Sequence, residues 1–177
     1  MLVGIVSDTH DNVWVLRKVI EQILERGVET VVHLGDIISP FTLRAMLELL
    51  SESRVKFVGI FGNNDGDKSL LLRVARSYDY EIHEPPYKIS LGGRKLLLVH
   101  GFGGREQTTD IIYSLAKQTD YDVILYGHTH YSDKKFIDNT LVLNPGELHG
   151  WVSGKRSYAL LDLDNLETEL VEIKLST

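Results

Sequence analysis

The chain contains no cysteine. That excludes a disulfide framework, a thiolate zinc site and a cysteine nucleophile. No apolar run approaches membrane-spanning length, so no transmembrane helix is expected. The apolar start from Met1 to Val6 is cut off by Ser7-Asp8 and lacks a basic leader. This does not fit a signal peptide and makes the cytoplasm the expected location. Basic residues are in deficit, 19 Lys and Arg against 25 Asp and Glu, for a net charge of -6. A long polyanionic nucleic acid is therefore not an expected partner. A small phosphate-bearing substrate held through metal ions remains compatible with that balance. Repeats, linkers and low-complexity stretches are also missing, so residues 1–177 read as one domain. Its 43% apolar content suits a globular core.

What is present is an alternation of strand and helix signals. Leu2 to Val6, Thr30 to Leu34 and Val55 to Phe61 are apolar runs that read as buried strands. Between them lie two helical patterns. The first, capped by Asp11 or Asn12, carries Val13, Leu16, Ile20, Ile23 and Leu24 on one face and stops at Gly27. The second opens at Pro40 with Leu43, Met46, Leu47 and Leu50 inward. A third helix is expected from Lys68 to Arg76. This order predicts an α/β fold whose first half is a parallel sheet with right-handed crossovers. The second half is richer in strands. Tyr87 to Leu91 and Lys95 to Val99 flank a Gly92-Gly93 hairpin turn. A helix from Glu106 to Gln118 should turn Ile111, Ile112, Leu115 and Ala116 inward. Asp122 to Leu125 is a further strand. Four more are expected at Ser132 to Ile137, Thr140 to Leu143, Ser157 to Leu163 and Glu167 to Leu175.

Five of these strands end in polar groups: Asp8 and His10, Asp36, Asn63, His100, then His128 and His130. Parallel strands of an open α/β sheet all end on one side, and ligands bind there. Each residue alone has a plain structural reading, a helix cap or a satisfied histidine. Five strand ends together do not. Three carry a glycine directly before the donor, in Gly35-Asp36, Gly62-Asn63 and Gly127-His128, which permits a sharp turn or a close approach. Two carboxylates, one amide and four imidazoles exceed what a single ion needs. Two ions sharing Asp36 would use four donors each. Nitrogen and oxygen donors without sulfur suit manganese, iron, zinc, nickel or cobalt. The set is too rich in histidine for magnesium or calcium. Such a pair of ions would attract phosphate oxygens and lower the pKa of bound water.

In order and spacing, Asp8-x-His10, Gly35-Asp36, Gly62-Asn63, His100 and Gly127-His128-x-His130 resemble the calcineurin-like metallophosphoesterases. The short chain and Asn144-Pro145-Gly146 resemble the small single-domain YfcE-like phosphodiesterase branch. The resemblance implies a four-layer αββα sandwich of two mixed sheets flanked by helices. It implies one metal on Asp8, His10, Asp36 and His130 and another on Asp36, Asn63, His100 and His128, with manganese expected first. The activity implied is hydrolysis of a small phosphodiester by a metal-bridging hydroxide. Asp36, Asn63, Asn64 and His100 would then stand at the reacting centre, with Asn64 against substrate; Arg105 either contacts a phosphate or is a solvated arginine at a helix start. Many family members have histidine at the position of Asn64. An amide donates a hydrogen bond but is no general acid near pH 7, so weak monoesterase activity is expected. Competing readings are a protein-binding scaffold like the retromer subunit of this fold, a phosphomonoesterase and a nuclease. His33 and His83 are expected to be structural. His149 and Trp151 follow the Asn144-Pro145-Gly146 turn, where they are either ordinary structural residues or an edge of the pocket, and Glu147 occupies a position where relatives often have serine. A homodimer or tetramer is compatible with the family.

Overall fold

The computed structural model describes residues 1–174. The chain runs β1 (Leu2–Val6), α1 (Val13–Glu25), β2 (Thr30–His33), α2 (Pro40–Glu52), β3 (Lys56–Ile60), α3 (Lys68–Arg76), β4 (Glu81–His83), β5 (Tyr87–Leu91) and β6 (Arg94–Val99). It continues with α4 (Arg105–Ala116), β7 (Val123–Tyr126), β8 (Asp133–Ile137), β9 (Thr140–Asn144), β10 (Ser157–Asp162) and β11 (Thr168–Glu172). One sheet has the order β11-β10-β1-β2-β3-β4 and the other β5-β6-β7-β9-β8. Both are mixed. β1, β2, β3 and β4 are parallel; at one edge β10 pairs antiparallel with β1, and β11 pairs antiparallel with β10. β6, β7 and β9 are parallel, flanked by antiparallel β5 and β8.

The period-2 pattern of the strands sorts their side chains into layers. From β1, Val3 and Ile5 enter a core between the sheets, where they meet Leu96 and Leu98 of β6 and Leu141 and Leu143 of β9. Val6 faces the other way, into a core with Leu16, Ile20 and Ile23 of α1 and Leu43, Met46 and Leu47 of α2. In β6, Leu97 and Val99 turn outward to Ile112 and Ala116 of α4. Three apolar layers thus separate helices, sheet, sheet and helix, which is the αββα sandwich. Each fully buried Leu or Ile contributes about 1.5–3 kcal/mol, so a one-residue register slip in β1 would invert its faces and forfeit several such terms.

The helix starts follow from local capping. The Asn12 side chain accepts from Val15 N–H at 3.4 Å, Ser39 from Thr42 N–H at 3.3 Å ahead of Pro40, and Asp67 from Leu70 N–H at 3.0 Å. Several expectations need correction. Ile111 is 37% exposed rather than inward, because α4 covers its sheet with a narrow face carried by Thr108, Ile112 and Ala116. In α1 the buried face includes Val15 and Val19, while Val13 is only half-buried. β4 carried no strand expectation; three residues with one buried side chain, Ile82, leave too short a pattern to read. β11 spans Thr168–Glu172, and the expected end at Leu175 lies outside the described residues. Among the described residues no helix is long and apolar enough to cross a membrane.

Candidate metal centre

The C-terminal ends of β1, β2, β3, β6 and β7 bring the seven expected donors together. Asp36 Oδ2 lies 3.3 Å from His10 Nε2 and 3.5 Å from His100 Nε2. Asp8 Oδ1 lies 4.0 Å from His10 Nε2 and 3.8 Å from His130 Nε2. Asn63 Oδ1 lies 3.0 Å from His100 Nε2 and 2.8 Å from His128 Nδ1. The donors therefore form one continuous cluster, although Asp8 and His128 are 120 positions apart.

The backbone bends hard to achieve this. Asp8, His10, Asp36, His128 and His130 all have positive φ, between 43° and 67°. Ile38, with φ of 80°, is the more costly case because it is β-branched. Strain of about 1–3 kcal/mol per residue persists only where surrounding contacts impose it. Asp65 imposes part of it. Its buried carboxylate accepts from Asp36 N–H at 3.0 Å, Gly62 N–H at 2.7 Å and Ile38 N–H at 2.7 Å. Asp11 ties the first loop to α2, accepting from Ser39 N–H at 3.0 Å and Thr42 O–H at 2.5 Å. The glycine expectation divides in two. Gly35 has φ of 100°, a conformation that disfavours any side chain. Gly62 is not left-handed; a Cβ there would collide with the Asp36 carboxylate, so its role is close approach.

The hydrogen-bond roles set the tautomers. His100 Nδ1 meets Leu34 O at 2.7 Å, so Nδ1 carries the proton and neutral Nε2 presents a lone pair. His128 Nε2 meets Gly103 O at 2.5 Å, which leaves Nδ1 as the lone pair. Both lone pairs face Asn63 Oδ1, an acceptor. Three acceptors at 2.8–3.0 Å are repulsive unless a proton or a cation lies among them. Asp8 shows the same need. Its Oδ2 accepts from Ser7 O–H at 2.6 Å and His128 N–H at 3.0 Å, while its fully buried Oδ1 has no hydrogen-bond partner. His10 Nε2 is likewise buried without one. Donor separations of 3.3–4.0 Å match atoms about 2.0–2.2 Å from a shared first-row ion. The residues fit divalent metals of the nitrogen- and oxygen-loving kind.

The electrostatics point the same way. Burial opposes ionisation of Asp36, but the adjoining His10 and His100 imidazoles and the hydrogen bond from Asn64 outweigh it and hold the carboxyl well below the usual range. Burial pushes the Asp8 carboxyl up, against the pull of His100 and His130. His100 and His130 are raised: burial opposes protonation, and Asp36 for the first and Glu147 for the second prevail. Buried carboxylates among imidazoles lacking protons between them are stabilised by positive charge.

Residues beyond the expected seven enter as well. Glu147, fully buried, accepts from His130 Nδ1–H at 2.8 Å and from His149 Nε2–H at 2.5 Å. Burial raises the Glu147 carboxyl, but His130 and Ser153 bring it down to about 2. Burial pushes the His149 imidazole down to about 4 against the attraction of Glu147. The His149 ring lies 4.4 Å from that of His10, and Trp151, 76% exposed, meets it edge-on at 5.4 Å. Single ligand atoms of His10, His130 and His149 lie within 4.8 Å of one another, as do those of Asp8, Asp36 and His100. This grouping cuts across the two sets of four that the resemblance implies. The sequence signals for Glu147 were its place directly after Asn144-Pro145-Gly146 and its departure from the serine that relatives often carry there. That turn is held by Asn144, which donates to Gly127 O at 3.1 Å and accepts from Gly146 N–H at 2.8 Å.

Asn64 donates its side-chain amide to Asp36 Oδ2 at 2.7 Å and its backbone N–H to Oδ1 at 2.8 Å. The structure does not join Arg105 to the cluster: its guanidinium stacks 3.7 Å over the Tyr131 ring. His33 is buried as a structural residue. Its Nδ1 accepts from Gly35 N–H at 3.2 Å, so Nε2 donates to Thr9 Oγ1 at 2.7 Å. His83 stacks on Tyr87 at 3.7 Å.

Known proteins resemble this chain in sequence and fold. Phosphodiesterase MJ0936 of Methanocaldococcus jannaschii is 32% identical over 168 residues, covering 94% of this chain and 96% of that protein. Phosphodiesterase YfcE of Escherichia coli K12 is 27% identical over 172 residues, 90% of this chain and 86% of its own length. The solved structure of an archaeal phosphodiesterase superposes with a TM-score of 0.85 at 30% identity, covering 98% of this chain and all of that one. Residues 1–166 match the calcineurin-like phosphoesterase superfamily domain. With the donors in that order and the sandwich around them, the chain belongs to the calcineurin-like phosphoesterase superfamily.

Proposed function

We propose that the protein is a dinuclear metal-dependent phosphodiesterase acting on small phosphodiesters. The observation that carries this reading is the meeting of buried, unpartnered donors, above all Asp8 Oδ1 and His10 Nε2, beside the lone pairs of His100 and His128. Asp8, His10, Asp36 and His130 would hold one ion, and Asp36, Asn63, His100 and His128 the other. Manganese is the first choice, with nickel, iron, cobalt and zinc also suited to the donors. Bound divalent ions supply Lewis acidity to a phosphoryl group and generate a nucleophile from water near neutral pH.

The protein's own residues set the rest. Leu34 O and Gly103 O fix the tautomers of His100 and His128 so that lone pairs face inward. Asn64 spends one amide hydrogen on Asp36 and is exposed, which leaves its second N–H for a phosphoryl oxygen. Arg105 is proposed as a more distant phosphate contact, released from Tyr131. The amide at position 64 cannot itself protonate a poor leaving group. Diesters with good leaving groups are therefore favoured over monoesters. A scaffold role leaves the inward lone pairs without purpose, and the net charge of -6 disfavours long nucleic acid.

The test is hydrolysis of bis(p-nitrophenyl) phosphate by purified protein with added manganese or nickel, before and after exhaustive chelation. Turnover should appear with metal, vanish on chelation and return on readdition. Turnover that survives complete metal removal would refute the proposal.

A further inference from the structure

Glu147 is a wholly buried carboxylate whose one oxygen meets two imidazoles within hydrogen-bond distance. Its Oε1 accepts from Val152 N–H at 3.0 Å, Ser153 N–H at 2.7 Å and Ser153 O–H at 2.8 Å. Its Oε2 faces His130 Nδ1 at 2.8 Å and His149 Nε2 at 2.5 Å. These two nitrogens lie 2.9 Å apart. Both are donors converging on one oxygen, so the short separation is not a hydrogen bond between the rings. The protons being there, His130 Nε2 and His149 Nδ1 carry lone pairs. His149 is 3% exposed, and its Nδ1 is buried with no partner. A buried lone pair left unmatched is costly. One ring nitrogen of His149 lies within 4.8 Å of ring nitrogens of His10 and His130, and His10 Nε2 is likewise buried without a partner. The His149 ring is 4.4 Å from the His10 ring and 5.0 Å from the His130 ring.

We propose that His149 is an additional imidazole ligand of the metal held by Asp8, His10, Asp36 and His130, and that Glu147 sets it by holding the far proton of both His130 and His149. The inference rests on the metal-centre reading above. A carboxylate behind a ligating histidine orients the ring and raises its basicity. Here one carboxylate does so for two rings. A third imidazole makes this position richer in nitrogen than the one built on Asn63, His100 and His128. Relative to the other position, it should therefore be shifted toward cobalt, nickel or zinc.

The experiment is a calorimetric titration of cobalt(II) into metal-free wild type, His149→Gln and Glu147→Gln, with visible absorption recorded in parallel. Wild type should bind two ions. His149→Gln should weaken one of them by about tenfold or more, leave the other in place and change the cobalt absorption bands. Glu147→Gln should weaken the same ion by about 10- to 100-fold, the range for residues that orient a ligand. Wild type binding two ions while His149→Gln keeps both affinities and the same bands would overturn the inference and leave the metal-centre reading standing. Wild type binding no ion would overturn both. A substitution-free readout covers poor folding of the variants. In wild type labelled with 15N-histidine, zinc should move the His149 Nδ1 resonance away from its free lone-pair position; an unmoved resonance overturns the inference.

Discussion

On one side of the centre, His100 and His128 give their outer protons to backbone carbonyls, Leu34 O and Gly103 O. On the other, His130 gives its proton to the carboxylate of Glu147. The two sides use the same residue type with opposite support. A carbonyl is neutral and comes with the fold, so it tolerates sequence change around it. A buried carboxylate is charged, makes its imidazole a stronger donor and needs its own protein donors, here from Val152 and Ser153. On the proposed two-metal reading, the side braced by Glu147 is the one whose metal preference a single substitution should alter. Asp36 lies between the sides, in reach of both His10 and His100.

The largest expected effect therefore erases the distinction. Asp36→Ala should remove both ions and lower phosphodiesterase turnover by more than the roughly 100-fold upper range for a supporting residue. Asp8→Ala and Asn63→Ala should each remove one ion, as counted by metal analysis after gel filtration. Equal metal loss in all three would mean that Asp36 is not shared.

The next effect concerns the residue that spans the boundary. Asn64→His puts a titratable group where the amide now holds Asp36. A well-placed general acid is worth about 10²–10⁴-fold; an unoptimised one should shift the monoester-to-diester rate ratio by about tenfold. A parallel fall of both rates would remove Asn64 as the cause of the preference.

A smaller effect reports on the scaffold under both sides. Burial lowers the His33 pKa to about 3, although Asp36 pulls it up. The unfolded chain takes up this proton near pH 6.5, and the folded one does so only near 3. The group's contribution is thus complete above about pH 6.5 and is lost as pH falls, by about 1.4 kcal/mol at one unit below. Urea midpoints of metal-free wild type and His33→Gln, measured at pH 7.5 and 5.5, should draw together at the lower pH. A constant gap would clear His33 of the effect.

The smallest change should separate the two sides again. Thr108, fully buried, accepts from Phe102 N–H and donates to Phe102 O, both at 2.9 Å, and so holds the loop that presents Gly103 O to His128. Thr108→Val should cost about 1–2 kcal/mol of stability. It should weaken only the ion on the Asn63 side. Weakening of both ions to the same degree would show that the sides are not independent.

The layers were legible because strand and helix periods are local properties. Val3 and Ile5 against Val6, or Leu96 and Leu98 against Leu97 and Val99, declare their faces within a few residues. Ile111 misled because its neighbour Ile112 suffices to cover the sheet, and a stripe that narrow leaves one of two adjacent isoleucines outside. Asp65 was hidden because a surface-type residue in a polar loop gives no sign that three backbone donors will converge on it.

The sequence by itself determined which donors exist, their order and the strand ends that carry them, since apolar runs and chain connectivity dictate where each strand stops. Only the tertiary structure decided which nitrogen of each histidine carries its proton, that five donors sit in left-handed backbone, and that Glu147 stands behind both His130 and His149. Those outcomes depend on contacts between segments far apart in the chain, such as Asp8 with the His128 loop, and no local pattern encodes the partner a buried polar atom will meet.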